Sequence, residues 1–173
     1  MVEIRQLTAA EAREHLAALG EVLFDCVEGG ASVNFLAPFS RAEAEAFFEK
    51  TAAAVGRGER ILLGAFDAAA LIGTVQVVPA TPPNQPHRAD VAKLLVHRAA
   101  RGKGVAKLLM QAVEQASLRA GKTLLVLDTV TGSVAETLYK TLGWTVVGVI
   151  PDYALFPDGR LCDTTVFYKK LTM

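Results

Sequence analysis

Between Arg88 and Leu127 the chain runs from a strand-like segment through a glycine-rich turn and a long amphipathic stretch into a second strand-like segment. Arg88 to Val96 holds Ala89, Val91, Leu94, Leu95 and Val96, a run too short and too β-compatible for a helix. Val105, Leu108, Leu109, Ala112, Val113 and Ala116 then recur every three or four residues, the spacing of one helix face. Gly121 stops that helix, and Leu124 to Leu127 is an unbroken apolar run, as in a strand buried on both faces. This strand–turn–helix–strand unit places the chain in the α/β class.

The rest of the sequence fits around it. Val2 to Leu7 alternates as a half-buried strand does. Thr8 with Glu11, Ser40 with Glu43 and Ser133 with Glu136 have the spacing of three capping boxes, in which hydroxyl and carboxylate satisfy the first N–H groups of a helix. They predict helices from Thr8 to Val27, from Ser40 to Val55 and from Ser133 to Leu142. Arg60 to Phe66 and Leu71 to Val78 read as a hairpin, followed by a proline-rich loop from Thr81 to Pro86. Trp144 to Ile150 and Leu161 to Leu171 read as the last two strands. The expected architecture is a single domain over residues 1–173: a mixed, mostly antiparallel sheet of about seven strands flanked by four helices.

Composition narrows the function classes. Of the 173 residues 51% are hydrophobic, and 18 basic side chains balance 18 acidic ones. That excludes a mostly disordered chain and argues against a nucleic-acid partner. Cys26 and Cys162 are far apart and form no metal-ligand or dithiol spacing. His15, His87 and His97 are scattered, so no metal is expected. Met1 to Leu7 has no apolar leader core, and Ile61 to Val78 is broken by Gly64, Asp67, Gly73 and Gln76. The expectation is a cytoplasmic protein without a membrane partner.

The turn itself, Arg101-Gly102-Lys103-Gly104-Val105-Ala106, opens a helix. Glycines allow a tight turn and close approach of a ligand, and the free N–H groups of the helix start attract anions. Arg101, Lys103 and Lys107 add cations, so a phosphate or pyrophosphate fits. A phosphate-binding P-loop would need Lys-Ser or Lys-Thr after Gly104, and a dinucleotide fingerprint would need glycine at 107; neither is present. The plainer alternative is that Gly102 and Gly104 only end a strand.

Arg101-x-x-Gly104-x-Ala106 resembles the Q/R-x-x-G-x-G/A motif of the GNAT family of N-acetyltransferases. Ala135-Glu-Thr-Leu-Tyr139-Lys-Thr-Leu-Gly143-Trp144 is similar to that family's A-x-x-x-Y-x-x-x-G-F segment, and the element order agrees over essentially the whole chain. The resemblance implies a splayed fourth strand, with the backbone of Lys93 to Val96 along the pantetheine arm of acetyl-CoA. It places the cofactor on Leu94, Leu95, Val96, Arg101, Gly102, Lys103, Gly104, Val105, Ala106, Lys107 and Ser133. Two positions depart from the family: Gly132 replaces a frequent Asn, and Arg98 replaces a frequent Pro. Gly29 to Val33, Leu127 to Thr129, Gly132 to Glu136 and Pro157 to Leu161 together resemble the tabtoxin-resistance branch of the family.

Acetyl transfer to an amine needs a neutral amine, donors for an oxyanion and a proton for the leaving thiolate. The resemblance gives the proton-donor role to Tyr139; the alternative is a tyrosine packed on its helix. The oxyanion donors implied are the backbone N–H groups of Leu95 and Val96. Asp128, after an apolar run, would stand where the strand ends of an α/β sheet line a crevice and could take the proton of the incoming ammonium. It could equally cap the turn at Thr129 to Thr131. Asp90 is a rival base, though its neighbouring loop suggests exposure. Acceptor selection is expected from Gly30, Ser32 and Asn34 and from Tyr153, with Asp25 and Glu28 drawing in a cationic amine. The implied function is acetyl-CoA-dependent N-acetylation, by direct transfer, of the primary amine of a small molecule such as an amino-acid-like toxin or antibiotic, in resistance or detoxification, by a monomer or homodimer. Two alternatives stay open: acetylation of a peptide or protein N-terminus, and an idle acyl-CoA-binding regulator.

Overall fold

The computed structural model describes residues 1–172. Its elements are β1 (Val2–Leu7), α1 (Ala9–Glu14), α2 (Leu16–Glu28), α3 (Arg41–Gly56), β2 (Ile61–Asp67), β3 (Ala70–Pro79), β4 (Arg88–Val96), a 3-10 turn (Arg98–Ala100), α4 (Val105–Arg119), β5 (Leu124–Val130), α5 (Val134–Thr141), β6 (Thr145–Leu155) and β7 (Leu161–Lys170).

Local chemistry sets most of these boundaries. Thr8 and Glu11 close a capping box on α1, and Ser40 and Glu43 close one on α3. The third expected box is only half made. Ser133 accepts from the Glu136 N–H, but the Glu136 carboxylate accepts from Gly132 N–H rather than from the cap residue, and it pairs with Lys140. The helix expected from Thr8 to Val27 is divided into α1 and α2 at His15, whose φ of −99° and ψ of 16° leave the helical region. The His15 ring packs edge-on against Phe66, 5.0 Å between centroids.

The seven strands form one sheet in the order β1-β2-β3-β4-β5-β7-β6. Only the β4–β5 pair is parallel, because α4 carries the chain back between them. Successive residues of a strand face opposite sides, so the sheet supports two cores. Leu62 and Phe66 of β2 pack with Leu19, Leu23 and Phe48 beneath α2 and α3. Leu63 and Ala65 pack with Leu109, Val113 and Phe167 beneath α4. Phe48 is fully buried. Phe48→Ala should therefore cost about 3–5 kcal/mol of unfolding free energy, read as a lower midpoint in urea denaturation.

Two features of the sheet position the site. Parallel pairing of β4 with β5 stops after Asp90 and Val126, while β5 stays paired with β7 as far as Val130. The strands therefore diverge, and the β5-facing backbone of Val91 to Val96 has no strand partner. Second, β4 bulges: Thr74 lies opposite Leu95 and Gln76 opposite Ala92, so Lys93 and Leu94 together face Val75. Two strands run beyond their expected ends. β5 continues through Asp128 to Val130, and β6 continues through Pro151 to Leu155. β5 is also not buried throughout: Leu125 and Leu127 are core residues, whereas Leu124 and Val126 are half-buried. No described helix is long and apolar enough to cross a membrane.

Candidate active site

A cleft of about 450 Å³ opens where β4 and β5 part. One wall is β4 from Val91 to Val96 and the other is β5 from Asp128 to Val130 with the start of α5. The loop after α2 and the facing ends of β6 and β7 close the remaining side.

The glycine-rich turn begins at the β4 end of this cleft. Gly102 and Gly104 have φ of 75° and 78°, a region that side chains rarely adopt, and a Cβ at either would meet no protein atom. Gly104 caps α4, and the first intrahelical bond runs from Leu108 N–H to Gly104 C=O. The N–H groups of Val105, Ala106 and Lys107 thus have no intrahelical acceptor, and the helix dipole adds to their positive potential. Lys103 and Lys107 are exposed beside them. Arg101 is placed differently from the other two cations. Its Nε donates to Val96 C=O at 3.1 Å and its Nη2 to the Cys26 sulfur at 3.6 Å, so it braces the end of β4 and lines the cleft. Leu94, Leu95 and Val96 line the same wall; Ser133, the α5 cap, lies opposite them and shares a 3.3 Å contact with the Thr129 hydroxyl.

Tyr139 projects from α5 with its ring buried against Trp144 and Phe167, at 5.9 and 5.8 Å. It borders the cleft, and its hydroxyl makes no hydrogen bond to another described residue. Burial, with the nearby Asp128 carboxylate, pushes the phenol well above its ordinary value, so it stays protonated. Asp128 lies within β5, opposite Val166, and not at the strand end where the apolar run had suggested. It is exposed to the cleft, and its Oδ2 accepts from the Thr164 hydroxyl at 2.8 Å. The turn-cap geometry considered for it is thus replaced by a bond to the neighbouring strand. Asp90 pairs with Arg88 at 2.6 Å and is not part of the cleft lining.

The expected acceptor residues converge at the far end. Ser32 donates to Leu155 C=O at 2.6 Å, and that bond ties the loop after α2 to β6. Gly30 and Asn34, with φ of 87° and 76°, bend the loop. Tyr153 is exposed on β6 beside a bulge at Asp152, φ 51°. Asp25 is elsewhere engaged. It is buried and accepts from Arg98 N–H at 2.7 Å and Arg98 Nε at 2.9 Å. Burial works to raise its pKa, but the Arg98 bonds outweigh that and leave it below the usual value. Asp25 is a structural anchor between α2 and the end of β4, not a steering charge, and Arg98 supplies the link at the position where the family often has proline.

Sequence reasoning left several lining residues without a role, among them Lys93, of which it used only the backbone, Asp163 and Cys26. Lys93 enters through the β4 bulge, Asp163 through β7, and Cys26 through α2. An unbroken β alternation hides the bulge, and no spacing rule connects residues on three separate elements. Among the described residues no three His, Cys, Asp or Glu side chains are gathered as a metal site.

Comparison with known proteins agrees with this geometry. A Salmonella typhimurium protein assigned as an acetyltransferase, solved with its cofactor acetyl-CoA, superposes with a TM-score of 0.79 at 21% identity, covering 99% of this chain and 94% of its own. A ribosomal-protein-alanine N-acetyltransferase from Brucella melitensis superposes at 0.80 and 20% identity, over 98% and 99% of the two chains. A protein assigned as a phosphinothricin N-acetyltransferase gives 0.80 at 18% identity, with 100% of both chains covered. At these identities the likeness is one of fold. The sequence profile of the Acetyltransferase (GNAT) family matches residues 27–144, which span the diverging strands, the glycine turn and Tyr139. With a splayed β4, an open helix start after it and a profile match over most of its length, this chain belongs to the GNAT family of acetyltransferases.

Proposed function

We propose that the chain transfers an acetyl group from acetyl-CoA to the primary amine of a small molecule. The observation that carries this reading is the unpaired β4 edge, which borders one cleft with Tyr139 and Asp128 and ends at Arg101, just before the free N–H groups of α4. Acetyl-CoA supplies an activated acyl group when bound. The α4 start, with Gly102 and Gly104, suits its diphosphate, and Leu94 to Val96 offer backbone donors and acceptors to its amide-bearing arm. The Val96 N–H, on the β5-facing edge, serves as an oxyanion donor; the Leu95 N–H expected beside it faces β3, because His97 N–H already bonds Ile72 C=O and alternate residues of a strand direct their N–H groups to the same edge. Asp128 removes a proton from the acceptor ammonium, and Tyr139 holds the proton delivered to the departing sulfur.

The turn is open to a direct test. In Gly104→Val a Cβ meets no protein atom, so the fold should persist with a backbone cost of about 1–2 kcal/mol. The side chain would occupy the approach to the α4 N–H groups. Calorimetry should show acetyl-CoA binding weakened by about 10- to 100-fold, the loss of one or two charge-assisted hydrogen bonds. Unchanged affinity would remove the turn from the cofactor site.

The small-molecule acceptor is supported by the bond from Ser32 to Leu155, which closes the far end of the cleft. The segments that resemble the tabtoxin-resistance branch, and a fold neighbour assigned to phosphinothricin, favour an amino-acid-like toxin or antibiotic, and hence a detoxifying role. The Brucella neighbour, named for a ribosomal-protein alanine, makes a peptide N-terminus the second reading. A panel of small amines and of short peptides, incubated with acetyl-CoA and read by free thiol release, separates them. Turnover confined to small amines is expected. Turnover confined to peptides selects the second reading, and acetyl-CoA binding without any turnover would indicate a regulator.

A further inference from the structure

Four charged residues line the cleft, and the side chains of three of them have partners within the protein. Arg101 donates to Val96 C=O, Asp163 accepts from Asp152 N–H, and Asp128 accepts from the Thr164 hydroxyl. Lys93 is the fourth, and among the described residues no carboxylate or carbonyl holds its ammonium.

The bulge explains how this side chain comes to be there. Lys93 has φ 55°, a backbone conformation unfavourable for a residue with a Cβ. Such bulges redirect a side chain. The Lys93 ammonium comes 5.9 Å from the centre of the Phe47 ring, on the side of the sheet covered by α3. Ala92 and Gln76 are register partners and share a face of the sheet. Gln76 is fully buried; its carbonyl accepts from Arg60, and its amide NH2 has no partner. Burial, followed by the charge of Arg60, holds the Lys93 ammonium below the ordinary lysine value, against the opposing pull of Asp128. A cation largely out of water, beside a second cation and without a counterion, is electrostatically incomplete.

The charges also stand on separate strands. Lys93 is on β4 and Asp128 on β5, and the cleft lies between them. A simple monoamine would satisfy Asp128 and leave Lys93 uncompensated, whereas a negative group carried by the acceptor beside its ammonium would meet it.

We propose that Lys93 binds a carboxylate of the acceptor while Asp128 engages its ammonium, so that the substrate is an amino-acid-like zwitterion. This rests on the acetylation of small amines proposed above and adds the second charge of the acceptor.

The test uses matched acceptors: amino acids from the active amine set and the corresponding amino-acid amides, at saturating acetyl-CoA. The wild-type protein should favour the free acid by about 10- to 100-fold in kcat/KM, the worth of one charge-assisted hydrogen bond. In Lys93→Met the acid should fall to the level of the amide, mainly through KM, with acetyl-CoA affinity retained. Lys93→Arg should keep most of the preference. Equal use of acid and amide by the wild-type protein overturns the proposal without a variant, and so does a preference that survives in Lys93→Met. Where both acceptors are turned over but not distinguished, only the role of Lys93 fails. Where neither is turned over although acetyl-CoA binds, the small-amine reading itself fails, and the role of Lys93 with it.

Discussion

Tyr139→Phe is expected to lower kcat by about 100- to 10,000-fold, the usual contribution of a positioned general acid, with the acceptor KM and the affinity for acetyl-CoA near wild type. The ring sits between Trp144 and Phe167, and phenylalanine preserves those contacts, so the variant should fold. Only the hydroxyl at the cleft is lost. That hydroxyl is a weak acid: burial and Asp128 both raise its pKa, and a phenolate left in the site is disfavoured. Proton delivery must therefore accompany departure of the sulfur, with the geometry of approach supplying most of the effect. The same shift fixes the sign of the alkaline dependence. The protonated form persists above the ordinary phenol value of about 10, so wild-type kcat should show no loss from Tyr139 ionisation up to that pH. A steady-state comparison of the two proteins across the pH range decides the point. A near wild-type kcat in Tyr139→Phe would transfer the protonation of the thiolate to solvent.

Asp128→Asn is expected to impair use of the acceptor by a similar factor, about 100- to 10,000-fold in kcat/KM, and most severely at low pH. The amine enters as an ammonium over most of the physiological range, and the carboxylate both attracts it and accepts its proton. Asparagine can still accept from the Thr164 hydroxyl through its own carbonyl oxygen, so the contact between β5 and β7 survives. The loss then reports chemistry and not strand pairing. Raising the pH supplies neutral amine without a base and should recover part of the rate. A flat ratio of variant to wild type across pH would leave Asp128 a strand-bridging residue. Because Asp128 also raises the Tyr139 pKa, its removal should make Tyr139 a stronger acid. The two substitutions should consequently combine non-additively in the double variant.

The resemblance of the glycine turn and of the Tyr139 segment to a known family had already brought most of the proposed cofactor residues together; of these, Leu94, Leu95, Val96, Arg101 and Ser133 line one cleft, and the turn from Gly102 onward starts at its β4 end without lining it. What it adds lies in the side chains of the turn. Arg101, Lys103 and Lys107 are alike in a sequence, but only Arg101 has a carbonyl and a sulfur within reach, and it turns inward to them. Asp25 likewise reads as a surface acid on an amphipathic helix until Arg98, 73 positions away, is seen to cover it. β6 passes through Pro151 within the irregularity between Ile150 and Ala154 of the sheet's last strand, where no register pair requires its N–H.

By itself the sequence determined what depends on neighbours a few residues apart. Hydrophobic periodicity set the order of the strands and most helices, hydroxyl and carboxylate pairs set where α1 and α3 begin, and glycines at 102 and 104 set a turn that other residues adopt only under strain. Tertiary structure alone decided what depends on contacts between distant segments. It interrupted the first helix at His15, parted β4 from β5 after three register pairs, and set Lys93 in a bulge of the cleft wall. Each of these carries a local cost in helical bonds, ladder bonds or backbone conformation. Only packing and pairing with remote parts of the chain offset it, and no local pattern encodes them.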